Sequence, residues 1–148
     1  MAVLGFCKWN SDKNCVIIFP LKMQNPQEVY LKKWLETASP VEIVIALYEK
    51  MESLLNDIIE LYEKEGENRN SKKEIELANR VSEILYYLKG TLDHKKGGEV
   101  AKGLNQFYGV CIAQLSKAMA EKNLELYKDL KKAIAEMKDA WEEVRKKS

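Results

Sequence analysis

A capped helix start followed by a long apolar stripe constrains the fold of this chain more than any other feature. In Ser39-Pro40-Val41-Glu42, the Ser39 side chain can accept a hydrogen bond from the Glu42 N–H, and the Glu42 carboxylate can bond the Ser39 N–H in return. Pro40 suits the first helical position, where its missing N–H costs nothing. Apolar residues then recur every three or four positions: Val41, Val44, Ile45, Leu47, Tyr48, Met51, Leu55, Ile58 and Tyr62. The pattern predicts an amphipathic helix over residues 40–65 that stops at Gly66.

The rest of the chain contains three more long helical patterns and a short one. Ser71-Lys72-Lys73-Glu74 repeats the capping pattern and opens a helix that residues 93–98 end, because their paired glycines weaken a helix. The apolar stripe of that helix comprises Ala78, Val81, Leu85, Leu88 and Leu92. Further stripes cover residues 100–119 and, after a candidate N-cap at Asn123, residues 127–144. Residues 27–35 form the short pattern.

Four long amphipathic helices joined by short turns must lie antiparallel to bury their stripes. The sequence therefore predicts an all-α fold, an antiparallel up-down-up-down four-helix bundle with a short N-terminal helix. Such a bundle needs a wide apolar face on each helix, so most of the extra apolar residues are expected in the core or at its edge. The remainder would form exposed grooves of the kind that bind partner helices.

Bulk composition indicates a soluble protein with a mixed-charge surface. The 148 residues include 24 basic and 23 acidic side chains, finely interspersed, with no basic block typical of nucleic-acid binding or of a membrane surface. The apolar run at residues 16–19 is too short for a membrane span or a secretory signal. The three cysteines, Cys7, Cys15 and Cys111, have no disulfide or metal-site spacing, which favours a reducing cytoplasm.

No constellation of catalytic or metal-binding residues is visible, so the chain is not expected to be an enzyme or to hold a cofactor. His94 is the only histidine, and it falls in a Lys/Gly turn without a catalytic partner. A single histidine also excludes a di-iron bundle, which needs two Glu-x-x-His pairs. Gly97-Gly98 is a turn and lacks the remainder of a phosphate-binding loop.

Residues 1–22 differ from the rest of the chain, because they lack the helical period and carry two of the three cysteines. They are expected to be an atypical N-terminal extension, with the helical domain over residues 23–148. Two interpretations compete for this segment. Either Met23 is the native start and residues 1–22 come from an over-extended reading frame, which we favour, or the segment is a genuine added arm.

Several short motifs, taken in order, resemble the flagellar export chaperone family FliS. They are Tyr30 followed by Thr37-Ala38-Ser39-Pro40, Leu47-Tyr48-Glu49, Leu92-Asp93, Gly97-Gly98-Glu99, Leu104 with Tyr108, and Trp141-Glu142. Met23-Gln24-Asn25-Pro26 also resembles the start of proteins in this family. The sequence departs from the family pattern at Lys50, where Gly is common, and at Phe107, where Leu is common.

The resemblance implies a cytoplasmic chaperone that binds the C-terminal segment of flagellin, prevents its premature polymerisation and aids its delivery to the flagellar export gate. It implies no nucleic-acid partner, no membrane insertion, no metal and no cofactor. Leu47 and Tyr108 match family motifs, whereas stripe position alone adds other candidates. The expected flagellin-binding residues, in the groove or on a lid over it, are Tyr30, Leu31, Leu35, Leu47, Met51, Leu104, Tyr108 and Cys111.

The N-terminal segment around residues 25–35 is the expected lid. A helix this short is marginal alone in water, so it must dock on an apolar surface to be ordered. The main alternative function is a self-associating structural or regulatory bundle with no flagellin client, and a homodimer stays open for the client-free state. An RNA-cleaving bundle is remote, because Arg80 and His94 are fourteen residues apart.

Overall fold

The computed structural model describes residues 40–147 with their side chains, and the backbone of two short strands near the N-terminus. The strands, β1 (Cys7–Trp9) and β2 (Cys15–Ile17), pair antiparallel with Lys8 opposite Val16. The predicted short helix at residues 27–35, the proposed start at Met23 and the cap at Ser39 all lie outside the described residues.

Four long helices form the described part of the chain. They are α1 (Pro40–Glu65), α2 (Ser71–Gly90), α3 (His94–Glu121) and α4 (Leu124–Lys147). A 3-10 turn at Gly66–Asn68 follows α1. Each of α1 and α3 packs against both α2 and α4, so the helices form a closed antiparallel ring. The predicted four-helix bundle is confirmed, including the bounds of α1.

The core consists of the stripes that the sequence predicts. It includes Tyr48, Met51, Leu55 and Ile58 from α1, Ala78, Val81, Leu85 and Leu88 from α2, Tyr108, Cys111, Leu115 and Ala118 from α3, and Tyr127, Leu130 and Ile134 from α4. Tyr86, one of the extra apolar residues of the wide faces, is 51% exposed. The other extra residues of α1, α2 and α4 are buried or half-buried, as expected: Ile43, Ile45, Leu47, Ile59, Leu61, Leu77, Tyr87, Leu124 and Leu126.

The cap of α2 differs from the sequence prediction, whereas the cap of α4 agrees with it. Asn70, and not Ser71, caps α2, because its side chain accepts a hydrogen bond from the Lys73 N–H at 3.1 Å. Glu74 therefore does not reach back to a cap and turns into the bundle instead, where it is 4% exposed. The cap predicted at Asn123 is confirmed, since its side chain accepts a hydrogen bond from the Leu126 N–H.

Two separate features correspond to the helix break predicted at residues 93–98: a capped helix start at His94 and a kink at Gly98. Asp93 caps α3 by accepting hydrogen bonds from the N–H groups of Lys95 and Lys96, so the helix already begins at His94. Gly98 then interrupts it with φ 50° and ψ −125°, a conformation that strongly favours glycine. One capped turn therefore precedes a kink, and the regular part of α3 follows Gly98.

Candidate functional site

The extent of packing differs between neighbouring pairs of the four helices. Helix α4 packs extensively on α1, and two polar ties reinforce that seam. Lys138 Nζ lies 3.0 Å from Glu52 Oε1, and Lys131 donates a hydrogen bond to Asn56 Oδ1 at 3.0 Å. Contact between α3 and α4 is less extensive. There, Gln114 Nε2 donates a hydrogen bond to the Leu126 carbonyl at 2.9 Å, close to the turn that joins the two helices.

Helical spacing shows which residues face each other across the α3–α4 seam. Seven residues are nearly two turns, so Phe107 and Val100 lie on the same side of α3 as Gln114. Eleven residues are about three turns and eighteen are five turns, so Met137 and Val144 lie on the side of α4 that carries Leu126. These positions belong to the first half of α3 and the last half of α4, away from the connecting turn.

From this spacing we infer an apolar groove between these halves, which we call the α3–α4 groove. Its residues are Val100, Leu104 and Phe107 from α3, and Met137, Trp141 and Val144 from α4. Val100 is 70% exposed and Val144 47% exposed, whereas the four others are half-buried and pack against the core. The groove is apolar over about two turns of each helix, and its rim is open to solvent.

A buried tyrosine pair lies beneath the groove. The hydroxyls of Tyr48 and Tyr108 are 2.8 Å apart, and their rings meet edge to face with centroids 6.4 Å apart. The Tyr108 ring also packs edge to face on Phe107, at 5.7 Å. Burial raises the pKa of Tyr48 to about 12 and the pKa of Tyr108 well above its ordinary value. Both hydroxyls therefore stay neutral, and the pair gives the groove a rigid floor.

The side chain of Trp141 connects the groove to this pair. The indole lies close enough to lower the pKa of Tyr48, although burial outweighs this effect. Its Nε1 atom is buried and makes no well-aligned hydrogen bond with the side chains and backbone of residues 40–147. A buried N–H without a well-aligned acceptor is unfavourable, and the packing of the indole against the core offsets this cost.

The structure places the predicted binding residues in two different environments. Leu104 is half-buried and lies in the α3–α4 groove. Leu47, Met51, Tyr108 and Cys111 are at most 3% exposed and belong to the core. They can support a binding surface from below, and their contribution to client binding stays a prediction. The predicted lid residues Tyr30, Leu31 and Leu35 lie outside the described part of the chain.

Burial also determines the chemistry of Cys111. It raises the pKa of the thiol to about 11, so the side chain stays protonated and acts as a small apolar group. Tyr108, one helical turn before it, is equally enclosed. Neither residue offers a reactive group to solvent.

Sequence reasoning missed most of the groove. Val100, Phe107, Met137, Trp141 and Val144 fall on stripes that were expected to be core, and a stripe alone does not say which edge of it a neighbouring helix covers. The pattern that identifies most of them is their helical spacing from Gln114 and Leu126, the two residues whose hydrogen bond joins α3 to α4. This spacing is recognisable only once the helix neighbours are known.

Sequence reasoning also missed a polar cluster at the opposite end of the bundle. Glu74 Oε2 accepts hydrogen bonds from the hydroxyls of Tyr62 at 2.7 Å and Tyr127 at 2.8 Å. Glu74 Oε1 accepts one from Arg69 Nε at 3.0 Å, and the Arg69 guanidinium lies over the Tyr62 ring, 3.8 Å from its centroid. Arg69 also donates to the Gly66 carbonyl, which fixes the turn after α1.

This cluster holds Glu74 in its charged form. Burial alone would raise the pKa of its carboxyl, but the hydrogen bonds from Tyr62, Tyr127 and Arg69 outweigh burial and keep the pKa below its ordinary value. The cluster joins α1, α2, α4 and the turn, so it closes this end of the bundle. A cleft of about 520 Å³ lies beside it, lined in part by Arg69, Ser71 and Lys122.

Other kinds of site find no support in the described residues. Among residues 40–147 no three His, Cys, Asp or Glu side chains are grouped so that they could hold a metal ion. Within the same range, none of the helices has the length and apolar character needed to cross a membrane. His94 is exposed at the first position of α3.

Comparison with known proteins agrees with the motif resemblance. The family model described as "Flagellar protein FliS" matches residues 23–148. A curated relative, the "Flagellar secretion chaperone FliS" of Vibrio cholerae serotype O1 (strain ATCC 39315 / El Tor Inaba N16961), is 28% identical over 69 residues. That match covers 47% of this chain and 51% of the relative, so the chain aligns with about half the length of the curated protein. Because the family model covers most of the chain, the protein belongs to the FliS family of flagellar proteins.

Proposed function

We propose that this protein is a cytoplasmic, non-enzymatic secretion chaperone that binds the C-terminal segment of flagellin. Binding would prevent premature polymerisation of the client and aid its delivery to the flagellar export gate, with which contact is transient. Membership of the FliS family supports the chaperone role, as does the printed name of the Vibrio cholerae relative. The client and its delivery rest on the motif resemblance and on the physical fit described below.

The observation that carries the proposal is the α3–α4 groove. It lies at the less extensive helix seam, has exposed apolar rims at Val100 and Val144, and rests on a rigid aromatic floor. An amphipathic segment that would self-associate in water can bury its apolar side there as a helix. Because such a client folds as it binds, part of the interaction free energy is spent on ordering it, and the complex can release it again.

The expected lid fits the same surface. In an antiparallel bundle, the start of α1 lies at the same end as the start of α3 and the end of α4, so Pro40 lies at the end of the bundle that carries the groove. Residues 37–39 link the expected lid to Pro40, and three residues span at most about 10 Å. We propose that the segment carrying Tyr30, Leu31 and Leu35 docks on the α3–α4 groove and is displaced by flagellin. A lid that is mostly closed lowers the apparent affinity by the open fraction.

A charge at the groove rim tests the client site. Val100→Asp should weaken binding of flagellin's C-terminal segment at least tenfold, measured by calorimetry, because a carboxylate would be buried against apolar client side chains. The fold should survive, since Val100 is 70% exposed. Ile75→Asp is the matched control, because Ile75 is 49% exposed on α2 and outside the groove. Equal affinity of the two variants would refute this location of the site.

Two further measurements test the client and the lid. Co-purification with the cell's own flagellin should be lost when the flagellin C-terminus is removed, and its persistence would assign the chaperone another client segment.

Deletion of residues 1–36 should tighten client binding, because the groove is uncovered. Weaker binding with an unchanged far-ultraviolet circular dichroism spectrum would mean that the segment contacts the client, and the lid would be abandoned.

A further inference from the structure

The two edges of the α3–α4 groove differ in charge. On α3, residues 103–116 include no charged side chain, in a chain that is 32% charged. Gly103 and Val110 lie four and three residues from Phe107, so they border the groove on its α3 edge, and both are exposed. The α4 edge instead carries exposed carboxylates. We call them the acidic row, and its members are Asp129, Glu136 and Glu143.

The acidic row follows one line along α4. Its members are seven residues apart, which is nearly two turns, so the row extends over about 21 Å. It lies about 90° around the helix from Met137 and Val144, which belong to the groove. It lies about 150° from Lys131 and Lys138, which bond to α1. The row is therefore on the exposed side of α4 that is nearer to α3 than to α1.

Most basic residues of α4 lie away from this line. The first two members of the acidic row make no ion pair with residues 40–147, and the third, Glu143, has an exposed one with Lys146 at 3.3 Å. Lys128 and Lys132 lie further around α4, towards α1. Lys147 falls on the line only at the end of the helix. The α4 edge of the groove is therefore negatively charged, whereas the facing α3 edge is neutral.

We propose that the client helix carries Lys or Arg side chains along the edge that meets the acidic row. The inference rests on the proposed function, since it concerns how flagellin's C-terminal segment lies in the α3–α4 groove. A client helix turned end to end keeps its apolar face in the groove but places its basic edge against the uncharged edge of α3. Only one direction pairs the basic edge with the acidic row. The charge difference between the two edges therefore selects the direction of the client as well as its chemistry.

The exposure of the acidic row sets the size of its effect. Exposed ion pairs contribute little affinity each and are screened by salt, so the apolar contacts in the groove supply most of the binding free energy. Reversing two of the charges replaces attraction by repulsion, which should change the affinity about tenfold at low salt. Charges at the rim of an interface act mainly on the association rate, so the loss should appear there.

Calorimetry with the full chain and flagellin's C-terminal segment tests the acidic row. Asp129→Lys combined with Glu136→Lys should weaken binding about tenfold at about 20 mM salt. Most of this loss should disappear at about 0.5 M salt, where charges are screened within about 4 Å. Glu76→Lys combined with Glu83→Lys is the matched control on α2, because these glutamates are exposed, seven residues apart and outside the groove. The same change in net charge should leave the affinity of this control nearly unchanged.

A second arm uses the flagellin segment with every Lys and Arg replaced by Gln, which should bind the unmodified chain and the α4 double variant equally. Equal affinity of the two double variants for the natural segment would overturn the proposal, as would a loss that salt does not reduce or a segment without Lys or Arg. Circular dichroism of each variant checks that it is folded. No binding of the natural segment to the unmodified chain at either salt concentration would instead refute the proposed function, and the inference with it.

Discussion

Replacing Glu74 with glutamine should destabilise the bundle strongly, although the two side chains have nearly the same shape. Glu74 is 4% exposed and accepts three hydrogen bonds, from Tyr62, Tyr127 and Arg69. Hydrogen bonds to a charged group contribute about 1.5–3 kcal/mol each, and a neutral amide oxygen keeps only part of that. The substitution also leaves the Arg69 guanidinium, whose side chain is 11% exposed, without its counter-charge. We expect a loss of about 3 kcal/mol in the free energy of unfolding.

Acid should remove the same stabilisation from the unmodified protein. The pKa of Glu74 is lower in the folded state than its ordinary value of 4.5, so the unfolded state binds a proton first as the pH falls. The stabilisation is therefore complete above about pH 4.5 and is lost as the pH falls through the folded-state pKa. Glu74→Gln should flatten this part of the stability profile, because glutamine does not titrate.

Urea unfolding followed by circular dichroism at 222 nm measures both effects. Tyr127→Phe tests one of these hydrogen bonds separately. We expect it to lower the free energy of unfolding by about 1.5 kcal/mol, because it removes one hydrogen bond to the carboxylate. The two substitutions together should cost less than the sum of the single ones, because they remove the same contact. A loss of less than about 0.5 kcal/mol in the free energy of unfolding of Glu74→Gln, the level of an ordinary surface change, would refute the role of Glu74 in holding this end of the bundle together.

Three further predictions concern the helix starts and the tyrosine pair, all measured by urea unfolding. Gly98→Ala should cost about 1–3 kcal/mol because Gly98 has φ 50°, whereas Gly109→Ala, in open space within the same helix, should stabilise by about 0.5–1 kcal/mol; the same sign for both would contradict the kink. Asn70→Ala should cost about 1 kcal/mol and Ser71→Ala almost nothing, and the reverse order would mean that Ser71 is the cap. Tyr48→Phe should cost about 1–3 kcal/mol by leaving the Tyr108 hydroxyl unpaired, and additional Tyr108→Phe should recover part of this loss; a double variant worse than the single one would contradict the direct bond.

The helices and the core could be predicted from the sequence because both depend on local period. The start of α1 at Pro40 and its end before Gly66 could be predicted from the sequence without tertiary information. The cap of α2 could not be predicted in the same way, because Asn70 and Ser71 are both good cap residues. The choice depends on Glu74, which would have to complete a capping box with Ser71. Its carboxylate instead accepts hydrogen bonds from Tyr62 and Tyr127, which are on other helices.

The groove was harder to predict than the fold for a related reason. Ile134 and Met137 lie on the same apolar stripe of α4, yet Ile134 is buried and Met137 is half-buried at the α3–α4 groove. The difference depends on how closely α4 approaches α3 compared with α1, which no single stripe encodes. Family motifs identified Leu104 and Trp141 as notable positions without indicating that they share one surface.

The extensive seam between α1 and α4 has a consequence for how the protein is made. Helix α1 ends at residue 65, whereas α4, its main packing partner, begins at residue 124. At about 5–20 residues per second, the ribosome adds the first residue of α4 roughly 3–12 s after the last residue of α1. During this interval the apolar face of α1 has only α2, and later α3, to cover it. Completion of the bundle therefore awaits the synthesis of α4, and a chain interrupted before α4 exposes the side of α1 that carries Glu52 and Asn56.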